Sequence, residues 1–384
     1  MINTVPFFRP SIGEEEIAAV TDCLRSGWLT TGPKTAEFEA VFTDFLGGDV
    51  ESVAVNSATA ALHLGLEALG VGPGDEVIVP TLTFTATAEV VRYLGARPVL
   101  VDIDSNTFCI DPSLVEAAIT PRTKVIIPVH FAGRMCDMSS LRVIADRYGL
   151  RILEDAAHAL PASHKGSIVG KAGADVSAFS FYANKTMTTG EGGMLVTANP
   201  TIASRARTMR LHGIDRDVFN RFSDPRAGWV YDVVAPGFKY NLTDIASALG
   251  IVQLKRANAF ARIRAERAER YNAAFADLPL ILPPGPSEGD VHSWHLYIVQ
   301  LTDSAPINRD DFILALKDRG IGTSVHYRPL HMMTVWKDFC NSAVFSEADR
   351  VFNRTVSLPL FMDMTDSEQD RVINVTLEIL NKQK

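Results

Sequence analysis

Two stretches of the chain place reactive side chains where apolar strands run out. In AFSFYANKTMTTGEGGMLV (178–196) an apolar strand gives way to a polar loop holding Lys185 and then to a glycine-rich turn. In RILEDAAHA (151–159) Asp155 follows directly on another apolar strand. Residues just beyond the carboxyl ends of strands face one crevice in open α/β sheets, so the amine and the carboxylate are expected to converge. Partial desolvation there favours the neutral, nucleophilic form of a lysine. Taken alone, Lys185 reads first as a solvated loop residue.

The pair matches what pyridoxal 5′-phosphate (PLP) requires: an amine to join its aldehyde, and an anion that keeps its pyridine nitrogen protonated so that the ring accepts electrons. His158 lies three residues beyond Asp155, one helical turn away and within reach of the ring's phenolic oxygen; by itself it reads first as a core histidine. VNSATAALHL (55–64) supplies a strand end, small hydroxyl residues and a helix start. The N–H groups of Ser57, Ala58 and Thr59, helped by the helix dipole, can meet a phosphate there, or Ser57 can serve as an N-cap alone. Ser180 offers a second phosphate donor. Phe84, in PTLTFTATAEVV (80–91), stands between a strand and a helix, placed either to stack on a pyridine ring or to fill core.

These residues need a sheet to hold them. Seven apolar runs rich in β-branched residues, at 52–55, 76–79, 98–102, 124–128, 151–154, 176–179 and 194–197, alternate with helical stretches such as 58–69 and 139–148. The pattern predicts the α/β class, with a mostly parallel seven-stranded sheet between helices. GVGPGD (70–75) follows a helix and precedes a strand, the reverse of a dinucleotide loop, and reads as a turn. Residues 213–237 lack periodicity and predict a long loop. Helical spacing from 244 to about 277 predicts a connecting helix, and beyond it a strand at 294–301 and helices at 309–319 and 366–381 build a smaller α+β domain. The expected division is a large domain over 1–250 and the connecting helix with the small domain over 251–384.

Composition narrows the partners. The 384 residues are 47% hydrophobic and 21% charged, with 37 Lys+Arg against 45 Asp+Glu and a net charge of −8. That suits a globular chain and offers no broad basic footprint for nucleic acid or an anionic membrane; a small molecule is the expected partner. The opening MINTVPFFRPSIGEEE has no basic segment leading into an apolar run, and no stretch of about 18 apolar residues follows, so a cytoplasmic protein is expected. Cys23, Cys109, Cys136 and Cys340 form no CxxC pair, and no metal site is expected.

The motifs SGWLTTGP (26–33), NSATAALHL (56–64), GDEVIVPTLTFTATA (74–88), ITPRTKVIIPVHFAG (119–133), EDAAHA (154–159), FSFYANKTMTTGEGG (179–193), GFKYNLTDIASALG (237–250) and GIGTSVHYRPLH (320–331) together resemble the DegT/StrS family of PLP-dependent nucleotide-sugar aminotransferases, of fold type I, over nearly the whole chain. The wording is most similar to members that aminate C4 of UDP-linked keto-sugars. The resemblance implies that Lys185 bonds PLP, Asp155 pairs with the pyridine nitrogen, His158 contacts the phenolic oxygen, Ser57, Ala58 and Ser180 hold the phosphate, and Phe84 covers the ring. It implies L-glutamate as amino donor and a nucleotide-linked keto-sugar as acceptor. It also implies a homodimer with shared active sites, the segment 237–244 reaching into the neighbouring pocket. Many members have asparagine where this chain has Lys239, and either Lys239 or Asn241 takes that residue's contact with the partner's cofactor phosphate. Trp28, Thr30, His326, Arg328 and His331 lie in family-like loops, as sugar and nucleotide contacts or as residues that hold those loops. Dehydratase relatives carry histidine at the position of Lys185, which argues against dehydration. Two alternatives stay open: amination at C3 of a dTDP- or GDP-linked sugar, and a regulatory paralogue that binds PLP without turnover.

Overall fold

A computed structural model describes residues 4–215, 231–340 and 344–381. The seven predicted apolar runs become β1 (Glu51–Val55), β2 (Glu76–Pro80), β3 (Arg97–Val101), β4 (Thr123–Ile126), β5 (Arg151–Asp155), β8 (Val176–Ser180) and β9 (Gly193–Thr197), with a short hairpin, β6 (Ser163–His164) and β7 (Ser167–Ile168), between β5 and β8. They form one sheet in the order β1-β9-β8-β5-β4-β2-β3. All pairs from β8 to β3 are parallel, and β9 alone runs against its neighbours. β2 and β9 are buried at every residue, as strands covered on both faces must be.

Helices cover the sheet: α1 (Glu14–Ser26), α2 (Pro33–Phe45), α3 (Ala58–Ala68), α4 (Ala86–Tyr93), α5 (Pro112–Ala117), α6 (Met138–Tyr148) and α7 (Pro200–Met209). The first two went unpredicted, because α1 opens on three glutamates and its apolar positions are half exposed. Residues 70–75 form the expected turn. Of the predicted loop at 213–237, residues 216–230 lie outside the described residues, and its ends are closed by a bridge between Ile214 and Val233.

The long helix is α8 (Asp244–Phe275), and it joins two cores. Leu254 and Ala257 pack with the large sheet. Three to five turns on, Ala268, Tyr271 and Phe275 pack in a second core with β10 (Leu280–Ile281), β11 (Tyr297–Leu301), β12 (Thr355–Leu358), α9 (Arg309–Asp318) and α11 (Asp366–Leu380). β11 starts three residues later than the spacing predicts, because Trp294 has φ 50° and cannot extend a strand. The chain also passes between the cores away from α8. Val5, near the start, belongs to the second core and pairs with Ile321, while Trp336 and the helix α10 (Ser346–Arg354) return to the first through Ala348 and Val351.

At its first residue α8 also fixes the N-terminal region. The Asp244 carboxylate accepts the N–H groups of Gly32, Lys34 and Thr35 at 2.8, 3.0 and 2.9 Å and the Thr35 hydroxyl at 2.7 Å. It thus supplies from a distance the cap that Gly32 cannot give α2. Among the described residues no helix is long and apolar enough to cross a membrane, and no group of three or more His, Cys, Asp or Glu could hold a metal ion.

Candidate active site

β5 and β8 are parallel neighbours with Asp155 opposite Ala178, so the chain leaves both at the same sheet edge. A cavity of about 340 Å³ opens there. Ser57, Ala58, Phe84, Asp155, His158, Ser180, Lys185 and His326 all line it.

Asp155 ends β5 and is held from both sides. Its N–H donates to Pro128 O at 2.9 Å and its carbonyl accepts the His130 N–H at 3.1 Å. Its carboxylate accepts the Thr87 hydroxyl at 2.9 Å and the Ala157 N–H at 3.2 Å. Burial pushes this carboxyl above its usual value, against the pull of those two donors and of Lys185. Lys185 follows β8 on a turn closed by its own N–H to Tyr182 O at 2.9 Å. Burial lowers its amine to about 8, with Asp155 opposing, and the amine makes no hydrogen bond among the described residues. A half-buried amine open to a cavity and a buried carboxylate on the same cavity are the groups that a carbonyl carbon and a protonated ring nitrogen would complete.

The phosphate end is built by close packing. Ser57 caps α3, its Oγ accepting the Ala60 N–H at 3.1 Å. Ala58 and Thr59 line the cavity with N–H groups that have no intrahelical acceptor. The start of α3 sits against β9 because residue 193 is glycine: a Cβ there would lie 2.5 Å from the carbonyl carbon and oxygen of Ser57 and 2.7 Å from the Ala58 nitrogen. Phe84 is 57% exposed, so its ring is a wall of the cavity and not core filling. These features fit PLP: a nucleophile, a ring-nitrogen partner, an anion cradle and a stacking face around one space.

His158 is buried, and its Nδ1 accepts the Ala132 N–H at 3.3 Å. The ring is therefore neutral with its hydrogen on Nε2, which is donated to the Tyr327 hydroxyl 3.1 Å away. Burial first, then Lys185 and His326, holds His158 well below the usual histidine value. His326, brought to about 4 by burial and Lys185, bonds Ser357 through Nδ1 at 2.8 Å. Tyr327 and Thr87 went unrecognised in the sequence. Thr87 follows Phe84 by one helical turn, and Tyr327 lies between two residues already singled out, so spacing could have found both.

The other sequence candidates do not line the cavity. Lys239 and Asn241 sit beside the end of β1, Asn241 bridging Val55, with Lys239 Nζ donating to Asn241 Oδ1 at 2.5 Å and Asn241 Nδ2 to Thr31 Oγ1 at 2.7 Å. Trp28 packs over Gly32, and the Thr30 carbonyl accepts the Asp244 N–H at 3.1 Å. Arg328 is exposed and donates to Met332 O at 3.0 Å. His331 has both ring nitrogens engaged, with Thr81 Oγ1 and Asp349 Oδ1, each at 2.7 Å, and its ring stacks on Phe345. It fastens α10 to the chain after β2.

A seven-stranded sheet with one reversed strand, a lysine and a carboxylate at its carboxyl edge, and a second core on a long helix define a fold type I, PLP-dependent aminotransferase. The chain belongs to the DegT/DnrJ/EryC1/StrS aminotransferase family, whose model matches residues 10–376. It is 46% identical over 380 residues, 98% of this chain and 97% of the relative, to the spore coat polysaccharide biosynthesis protein SpsC of Bacillus subtilis. The putative sugar aminotransferase Spr1654 of Streptococcus pneumoniae superposes in its PMP form with a TM-score of 0.91 at 38% identity, covering 98% of this chain and 99% of that one. Its PLP form gives 0.90 at 37%, covering 99% of each. Helicobacter pylori PseC, an aminotransferase involved in the biosynthesis of pseudoaminic acid, gives 0.91 at 29% identity over 99% of this chain and 100% of that one.

Proposed function

We propose that this enzyme is a sugar aminotransferase that moves an amino group from L-glutamate to the keto carbon, C4, of a nucleotide-linked keto-sugar. The observation that carries the chemistry is the convergence of the Lys185 amine and the Asp155 carboxylate on one cavity. The sugar follows from relatives named for polysaccharide, sugar and pseudoaminic acid chemistry.

In this reading Asp155 faces the pyridine nitrogen, the start of α3 with Ser57, Ala58 and Ser180 holds the phosphate, Phe84 covers the ring, and His158 with Tyr327 stands at the phenolic oxygen. Bound there, PLP supplies an aldehyde that takes up the amino group and a ring that draws electrons from the carbon losing a proton. Lys185 Nζ takes that proton from the donor's Cα as general base and returns it as general acid; the sugar half runs the same transfer backwards. An amine held at about 8 is matched to both roles near neutral pH.

Among the described residues lining the cavity Lys185 is the only lysine or arginine. The donor's carboxylates and the acceptor's pyrophosphate therefore need cations from elsewhere. Arg328 is one. Lys239 and Asn241, off their own cavity, are assigned to the neighbouring subunit's pocket in a cytoplasmic homodimer, and Trp28, Thr30 and His326 to the acceptor. His331, saturated by its two partners, is assigned to holding its loop.

Incubation of the PLP-loaded enzyme and glutamate with UDP-4-keto, dTDP-3-keto and GDP-keto sugars, with mass analysis of the amino product, tests this reading. The UDP-4-keto sugar is expected to be aminated fastest, with ping-pong kinetics. Amination confined to a 3-keto sugar would overturn the C4 assignment, and no amino-sugar from any of them would overturn the sugar reading.

A further inference from the structure

Beside Asn184, the residue before the catalytic lysine, lies a void of about 10 Å³, the space for the centre of one water molecule. Phe7, Phe8, Leu296, Leu358 and Leu360 wall it, and its two polar side chains are Asn184 and His295. Both carry a buried polar atom with no hydrogen-bond partner in the protein, Asn184 Oδ1 and His295 Nδ1. His295 is 4% exposed. Buried polar atoms are almost always paired, and leaving two unpaired costs about 1–3 kcal/mol each. The side chains that carry these two orphans line one water-sized void, and together they form a complementary set. A water donates to the amide oxygen and either accepts from or donates to the ring nitrogen, and exchanging the amide O and N of Asn184 leaves the match intact.

We infer that a single structural water is bound between Asn184 and His295 and positions Lys185. The site has consequences on both sides. Asn184 is the residue before Lys185, on the loop after β8. His295 leads into β11 of the second core, and its ring lies 4.3 Å, centroid to centroid, from that of His158. The water thus ties the lysine loop to the small domain and fixes which nitrogen of His295 carries its hydrogen. Burial, then His158, Lys185, Arg264 and His326, keep His295 neutral, so the bridge is a neutral one across the working pH range. The inference concerns the shared aminotransferase machinery and stands whichever sugar is the acceptor.

The test is a crystal structure of the PLP-loaded enzyme at a resolution that places waters, together with the pH midpoint of the bound cofactor's visible band. Wild type is expected to show one ordered water in contact with both side chains. His295→Asn keeps a polar atom on the same branch and should keep the water and the wild-type midpoint. His295→Leu should lose the water and move the midpoint by a threefold or greater change in proton affinity, about half a pH unit. If His295→Leu does not fold, Asn184→Leu, at a half-buried position, gives the same comparison. A dry void in wild type, or an Asn184 amide bonded directly to protein, overturns the site. An occupied site with unshifted midpoints in both leucine variants overturns the positioning role.

Discussion

At the scale of single residues, the reactivity of this site rests on burial working against charge. Around the half-buried Lys185 desolvation outweighs the attraction of Asp155, and its amine falls from an ordinary 10.5 to about 8. The sign of the consequence is definite. Below about pH 8 the free amine is protonated and cannot attack an aldehyde; above it the amine is neutral. The rate at which cofactor-free enzyme captures PLP should therefore climb through about pH 8 and level off, whereas an exposed lysine would keep gaining to above pH 10. Stopped-flow absorbance across that range checks it, and a rate still rising tenfold per pH unit at pH 9.5 would show that the amine is not depressed. Lys185 and Asp155 were legible in the sequence because each follows an apolar strand. The hydrogen-bond partners that orient the site were harder to see. Thr87 on Asp155 and Tyr327 on His158 are 68 and 169 residues from the groups they touch, so spacing can single out the two residues but not the contacts they make.

At the scale of elements, the phosphate end depends on how closely α3 approaches β9. The seven strands and α3 were readable because buried strands and small-residue helix starts leave strong local patterns. The packing that makes the helix start useful was not, since it depends on a glycine in a different element. Gly193→Ala would force a methyl group to 2.5 Å from the Ser57 carbonyl, and backbone must shift to admit it. We expect roughly 1–3 kcal/mol of lost stability and a weakening of PLP affinity of about tenfold or more, read by urea unfolding and by cofactor titration. Unchanged affinity in the folded variant would remove the start of α3 from the phosphate site. The helix α2 shows the same limit. Its cap comes from Asp244, about 210 positions along the chain, so a sequence reading that looks for caps beside the helix overlooks it.

At the scale of the whole molecule, two cores share one chain that crosses between them at Val5, along α8 and again near Trp336. The long connecting helix was readable from its unbroken periodicity, but the return of the chain to the first core was not, because the short apolar runs around Trp336 and Phe345 lack a repeat. The cavity gathers its reactive groups from one chain and is short of cations, and that shortage supports the shared-site homodimer. A mixing experiment checks it. Lys185→Ala and the double variant Lys239→Ala/Asn241→Ala should each be nearly inactive alone. After subunit exchange, half the dimers pair the two variants and one of their two sites is intact, so about a quarter of the wild-type rate should return. No recovery despite confirmed exchange would place both lesions in one subunit's site.

The central claim is that Lys185, held against Asp155 in this cavity, moves the proton that lets an amino group change hands. It is tested most directly in a single half-reaction, with PLP-loaded enzyme and L-glutamate and no acceptor. The wild type should lose the visible absorbance of its cofactor and release about one equivalent of 2-oxoglutarate per subunit, while Lys185→Ala, folded and cofactor-bound, should release none within many wild-type turnover times. Release of 2-oxoglutarate by Lys185→Ala at a rate close to wild type would contradict the account.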